Sequence, residues 1–149
     1  MNASHELLLK QHNLSLTAVR VAVLETLEKH PHADATYVFN KVQTKITTAS
    51  KQAVYNNLNT LVQHGIIREI KPKGHASLYE TRIDDNHHHI ICRSCQCVID
   101  TSCRTDAPCM SPVDNHGFML DEAEVIFWGI CPDCQAAKTK SKNKTRSAI

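Results

Sequence analysis

Between Thr17 and Lys29 the apolar side chains Val19, Val23, Leu24 and Leu27 recur at the three-to-four spacing of one helix face. Thr17 is placed to cap that helix, and His30-Pro31-His32 ends it. Asp34 predicts the cap of a further helix with Tyr37, Val38, Phe39 and Val42 as its apolar stripe. Ser50 predicts a cap for Lys51 to His64, where Ala53, Val54, Leu58, Leu61 and Val62 turn inward and Gly65 supplies the stop. A short helix over 4–12, with Ser4 as cap and Leu7 to Leu9 as an apolar patch, precedes them. After Gly65 the pattern changes. Ile66 to Lys71, the turn Pro72-Lys73-Gly74, and Ser77 to Glu80 read as a hairpin.

The polar run at 81–86 (TRIDDN) marks a boundary. Beyond it, strands are expected over 88–92 and 95–100, folded across Cys92 and Cys95. Thr101 to Asn115 is irregular, with Pro108 and Pro112, and Gly117 opens Phe118-Met119-Leu120. Val125 to Ile130 is an apolar strand. The fold class is α+β. Residues 1–82 form a winged helix-turn-helix, residues 83–137 a small α/β unit, and residues 138–149 a basic disordered tail.

Seven cysteines, two pairs of them spaced CxxC, change this picture. Cys92 with Cys95 and Cys131 with Cys134 can turn four sulfurs onto one tetrahedral zinc. Close by stand His87, His88, His89 and Asp100. Pairing Cys92 with Cys95 would set His87 opposite Asp100 and His89 opposite Val98, with both imidazoles on one face and His88 on the other. Nitrogen and oxygen donors suit Fe(II), Mn(II) or Zn(II), whereas thiolates suit structural zinc. A unit this small argues for a metal and for pairing with a second copy.

The net charge of +2 hides an asymmetry. Residues 1–75 carry 9 Lys/Arg and 5 Asp/Glu, residues 76–137 carry 3 and 10, and residues 138–149 carry 5 and none. A basic first half joined to an acidic, donor-rich second half suits a nucleic-acid-binding domain with a control domain; a chance split between solvated faces is the alternative. The outer face of the 51–64 helix favours DNA. Gln52, Asn56 and Asn59 can read adenine edges, and Lys51 and Tyr55 can touch phosphate. No apolar run is long enough for a membrane span, and the N-terminus lacks the pattern of a signal peptide, so a cytoplasmic protein is expected.

HPHAD at 30–34, SKQAVYNNLNTLVQHGII at 50–67, DNHHHIICRSC at 85–95 and CPDC at 131–134 together resemble the ferric uptake regulator (Fur) family of metal-dependent bacterial repressors, over about residues 5–137. LDEAEVIFWGICPDC at 120–134 is most similar to the actinobacterial FurA/CatR type, peroxide-responsive repressors of catalase-peroxidase genes. The resemblance implies a homodimer on an AT-rich palindromic operator of double-stranded DNA; Lys51, Gln52, Tyr55, Asn56 and Arg20 are the expected DNA-binding residues. It implies structural zinc at Cys92, Cys95, Cys131 and Cys134, and a regulatory Fe(II) site, open to Mn(II) or Zn(II), at His30, Glu80, His87, His89 and Asp100. His32 is the alternative to His30.

Iron-dependent oxidation of a ligand histidine by hydrogen peroxide is the implied signal, and Asp at position 100 matches the peroxide-sensing members. Sensing of iron or zinc supply is the alternative. The chain departs from the family at Ser15-Leu16, where many members are basic, and at Ala107 and Ala123, which leave a further metal set incomplete beside Asn86 and His88. The spare cysteines Cys97, Cys103 and Cys109 read first as buried or tolerated side chains; if one is a redox thiol, Cys103 beside Arg104 is the best candidate. A thiol-disulfide enzyme is disfavoured, because neither CxxC is expected at a helix start and no nucleophile–base pair is evident.

Overall fold

In the computed structural model, residues 3–81, 87–102, 112–120 and 123–146 are described, with side chains through Lys140. The chain divides into two compact units, Met1–Asp84 and Asp85–Ile149. Among the described residues no helix is long and apolar enough to cross a membrane.

The first unit runs α1 (Ala3–Gln11), α2 (Ala18–Lys29), β1 (Ala33–Asp34), α3 (Ala35–Lys45), α4 (Lys51–Gln63), β2 (Arg68–Ile70) and β3 (Leu78–Glu80). Three expected caps form. The Thr17, Asp34 and Ser50 side chains accept from the amides of Arg20, Tyr37 and Ala53. Each satisfies one orphan donor of a helix start, so Ser50→Ala should lower unfolding stability by ~1 kcal/mol. A urea midpoint that falls with unchanged slope would show it. Ser4 lies inside the first turn of α1 instead of capping it. Leu9, Val23, Leu24, Leu27, Val38, Val42, Val54, Leu58 and Leu61 close into one core with Ile66 and Ile67. Gly65 takes φ +68°, the left-handed turn that ends α4.

β1 was not expected. It pairs antiparallel with β3, Ala33 opposite Tyr79, and makes a three-stranded sheet in the order β1-β3-β2. Two residues carry no periodicity, so this strand is set by tertiary pairing. His32, left-handed at φ 66°, donates its amide to the Tyr79 carbonyl at 3.0 Å and leads the chain into the pairing.

The second unit runs β4 (His87–Cys92), β5 (Val98–Ser102), β6 (Ile126–Gly129) and α5 (Pro132–Arg146). The sheet order is β5-β4-β6, with β5 antiparallel and β6 parallel to β4. Among the described residues of this unit, Ile91 and Cys92 are the only fully buried apolar side chains. Apolar burial alone is a weak source of stability for so small a unit.

The expected pairing of His87 with Asp100 is displaced by two residues, for His89 faces Asp100 and Ile91 faces Val98. Cys92 closes on Cys97 instead of Cys95, through Cys92 N–H to the Cys97 carbonyl at 3.0 Å, which makes the knuckle turn longer. An even shift preserves the face, so His87, His89 and Asp100 still share one side. The disordered tail expected from residue 138 is instead helical through Arg146. Pro132 is preset for a first helical turn, Asp133 complements the N-terminal dipole, and the Ala136-Ala137-Lys138 stretch propagates well. Segment 118–120 is exposed and forms no strand.

Candidate functional site

Four sulfurs converge where the β4–β5 turn meets the start of α5. One donor atom from each of Cys92, Cys95, Cys131 and Cys134 lies within 4.8 Å of every other. Cys95 Sγ and Cys131 Sγ are 3.7 Å apart. A tetrahedral zinc with Zn–S of about 2.3 Å has sulfur–sulfur edges of about 3.8 Å, so the spacing fits that ion. The amides of Cys131 and Ser94 point at Cys92 Sγ from 3.3 and 3.4 Å. Backbone hydrogen bonds of this kind, Cys131's foremost, hold the Cys92 thiol down at about 5. Cys95 is also lowered, chiefly by a backbone hydrogen bond from Cys97. At Cys134 the bond with Ser94 favours the thiolate, but the Cys131 thiol and desolvation outweigh it and push the group up to about 11. One cluster thus splits into easy and difficult ionisations, because backbone amides favour the Cys92 and Cys95 thiolates while the Cys131 thiol and burial disfavour that of Cys134. A divalent cation would favour the thiolate form of its ligands.

The Cys131–Cys134 pair does stand at a helix start, contrary to expectation, since α5 begins at Pro132. The apolar run before it reads as strand but stops at Gly129, which leaves Pro132 to begin the helix. The pair is no isolated dithiol, because both sulfurs belong to the four-thiol cage.

The opposite end of β4 carries the second donor set. His87 Nε2 and His89 Nε2 lie 3.9 and 3.3 Å from Asp100 Oδ1. The two rings meet edge to face, with centroids 4.9 Å apart. Both imidazoles are buried and the carboxylate is partly exposed. Two buried imidazoles against one carboxylate suit a borderline divalent ion better than the thiolates do. In the first unit, Glu80 is 1% exposed and lies 3.2 Å from His32 Nε2. The β1–β3 pairing makes this contact. His30, expected as the ligand, instead sets its ring edge-on to Tyr37 at 5.1 Å. A histidine and a glutamate separated in sequence by β1, α3, α4 and β2 gave little sequence signal; the positive φ of His32 and the pairing of a two-residue strand decide which imidazole meets Glu80.

The outer face of α4 is polar as expected. Lys51, Gln52, Asn56 and Asn59 are exposed, and Tyr55 is half-buried under the Lys51 ammonium. Gln52 donates to Asn56 at 2.8 Å, which presents the two amides as a pair. Arg20 is placed differently from the residues around it. Its Nε donates to Asn57 on α4 at 3.0 Å and its Nη1 to Ser15 at 2.8 Å. It ties the start of α2 to α4 and so sets how α4 is seated. Lys71 and Lys73 are exposed beside the turn between β2 and β3. Cys103 and Cys109 lie outside the described residues, as do Asn86, Arg104 and Ala107.

On the sheet face opposite His87 and His89, Ile99, Ile90 and Phe127 form one cross-strand row and are 55%, 41% and 52% exposed. Phe118 and Met119 are exposed too. An apolar row of this kind is costly to leave in water.

The family profile described as Ferric uptake regulator family matches residues 11–127. The chain is 48% identical over 132 residues to "Transcriptional regulator FurA" of Mycobacterium tuberculosis (strain ATCC 25618 / H37Rv), covering 88% of this chain and 90% of that protein. At greater distance it is 29% identical over 145 residues to the "Peroxide operon regulator" of Bacillus subtilis (strain 168), covering 89% and 95%. Among solved structures, "Ferric uptake regulator from francisella tularensis with Iron" is similar at a TM-score of 0.65 and 25% identity, covering 82% of this chain and 95% of that one.

Proposed function

The chain belongs to the ferric uptake regulator family and is a metal-responsive, DNA-binding transcriptional regulator, not an enzyme; from that premise we propose that it is a repressor released by hydrogen peroxide through iron-dependent oxidation of a regulatory histidine. The observation that carries the proposal is the His87–His89–Asp100 cluster, a nitrogen and oxygen donor set kept apart from the thiolate cage on the same strand. The cage is the structural zinc site. The regulatory ion draws on His87, His89 and Asp100 in the second unit and on Glu80 with His30 or His32 in the first, and the His32–Glu80 contact favours His32. When bound, Fe(II) supplies one-electron reduction of peroxide beside its ligands.

This chain's residues do the rest. Burial of His87 and His89 keeps both imidazoles out of bulk solvent. The Asp100 carboxylate would supply the negative charge that helps His87 and His89 hold a cation. An ion bound by donors from both units favours one arrangement of them, and it changes DNA affinity by its differential affinity for that arrangement. The winged-helix unit, roughly residues 1–82, binds DNA through Lys51, Gln52, Tyr55 and Asn56 on α4, with Arg20 seating that helix. Residues 83–137 pair with a second copy, covering the Ile99–Ile90–Phe127 row. A two-fold dimer matches a palindromic operator, with the AT preference read through Gln52 and Asn56. Such a regulator works in the cytoplasm.

Iron-loaded and manganese-loaded protein, each given limiting hydrogen peroxide, decide the matter by peptide mass spectrometry. One added oxygen is expected on tryptic peptide 83–93, which holds His87 and His89, or on 30–41, which holds His30 and His32, only with iron and together with loss of DNA binding. Fragmentation of 30–41 also reports which of its two imidazoles lay at the metal. Unmodified histidines with DNA binding intact would sink the peroxide reading and leave a sensor of iron or zinc supply.

A further inference from the structure

Arg20 bridges two segments and uses only part of its donor set to do so. Its Nε donates to Asn57 Oδ1 on α4 at 3.0 Å, and its Nη1 donates to the Ser15 carbonyl and to the Ser15 hydroxyl, each at 2.8 Å. Asn57 is held from its other end too, since its Nδ2 donates to the Ala53 carbonyl at 2.8 Å. The guanidinium plane is therefore fixed from two sides. Its remaining nitrogen, Nη2, has no partner among the described residues, and no described carboxylate pairs with the charge. Asn57 is half-buried on the flank of α4, between the buried Val54 and Leu58 and the exposed Gln52 and Asn56. A guanidinium bonded to Asn57 thus lies along the edge of the polar face. Ser15 is exposed and Arg20 half-buried, so this edge reaches the surface. The first turns of α2 and α4 hold no acid that would neutralise it. A fixed, uncompensated guanidinium with spare donors suits an oxyanion.

We propose, resting on the reading of α4 as the DNA-binding helix, that Arg20 binds a DNA phosphodiester through Nη2 and that Ser15 and Asn57 are the positioning residues that aim it. The same guanidinium is bonded to α4, so a phosphate held there sits at a fixed offset from the Gln52–Asn56 pair. A phosphate contact carries no base information, but it sets the register in which neighbouring side chains meet base edges. Ser15 and Asn57 also order a long side chain before DNA arrives, which lowers the entropy cost of binding. Charge alone would not do this. A lysine supplies a cation at the same position without the planar fork that reaches Ser15 and Asn57 together. Arg20 then serves sequence preference without touching a base: it fixes where α4 stands on the duplex, and Gln52 and Asn56 do the reading.

The test uses the full chain, loaded with zinc and Mn(II), and two fluorescent duplexes of equal length. One is selected by the unaltered protein from a random library, and the other has mixed sequence. Affinity for each is measured across a salt series, with thermal melts giving the folded fraction of every variant. Asn57→Leu and Arg20→Lys keep the charge and lose the aim. Each should weaken binding to the selected duplex by about tenfold, leave the mixed duplex nearly unchanged, and keep the salt slope. A variant that was merely less folded would weaken both duplexes equally. Arg20→Gln removes the charge, and its salt slope should become shallower by about 0.9 for each half-site bound. An unchanged slope in Arg20→Gln, or an unchanged preference in Asn57→Leu and Arg20→Lys, would overturn the proposal. A Gln52→Ala, Asn56→Ala double variant separates the two levels. If it retains full preference for the selected duplex, the reading of α4 fails and the proposal with it; if it loses preference while Asn57→Leu does not, only the aiming of Arg20 fails.

Discussion

Replacing Cys131 with serine is expected to cost the second unit its fold. That unit buries only Ile91 and Cys92 as apolar side chains among its described residues, so apolar burial supplies little of its stability. If the four-sulfur cluster, with its Cys95–Cys131 edge of 3.7 Å, holds zinc as proposed, the ion supplies the stabilising free energy that burial does not. Structural zinc contributes on the order of 10 kcal/mol to a small domain, comparable with the whole stability of most domains. A serine hydroxyl stays protonated at neutral pH and is a poor zinc ligand. The variant should therefore lose its zinc, the sheet signal in far-ultraviolet circular dichroism, and DNA binding together. The first unit has its own core from Leu9 to Tyr79 and should still melt cooperatively. A Cys131→Ser protein with native sheet content and no zinc would refute the structural role of the cage. A strong chelator acting slowly on the unaltered chain should reproduce the loss.

The second large effect is expected at Phe127. It stands with Ile90 and Ile99 in the exposed apolar row, on the face opposite His87 and His89. If a second copy covers that row, Phe127→Asp buries a carboxylate without a partner, at a cost of ~3–5 kcal/mol. The dimer dissociation constant should rise by about two to four orders of magnitude. Sedimentation velocity across a dilution series measures this directly. Zinc content should not change, because Phe127 is a half-exposed residue of the face opposite His87 and His89 and is none of the four cysteines. Binding to a palindromic operator should weaken with dimer loss, since each monomer then contacts one half-site alone. A variant that sediments as a dimer at the same concentrations would place the interface elsewhere.

The first unit was largely legible in the sequence because its signals are local. Thr17, Asp34 and Ser50 are caps whose hydrogen bonds reach only three residues ahead, and the stripes they introduce repeat within one helix. The cage was legible for a related reason, since CxxC fixes two sulfurs by spacing alone. The parts that were not legible depend on partners distant in sequence. β1 exists only because β3 offers it an edge, and through β1 the choice between His30 and His32 at Glu80 became visible. The register of β4 on β5 turned on how many residues the knuckle uses, a backbone question that two cysteines leave open. The helix that carries Lys138 was masked by composition, because a run of lysines reads equally well as solvated coil.

The displaced register also says something about how such a site tolerates change over generations. Side chains alternate along β4 and β5, so the imidazoles and the carboxylate care only whether the knuckle turn holds an odd or an even number of residues. A lineage that gains or loses two residues between Cys92 and Val98 slides Asp100 from one histidine to the other and keeps a working set of donors. A lineage that gains or loses one turns Asp100 to the opposite side and has no donor set to improve. Inheritance at this turn should therefore move in steps of two.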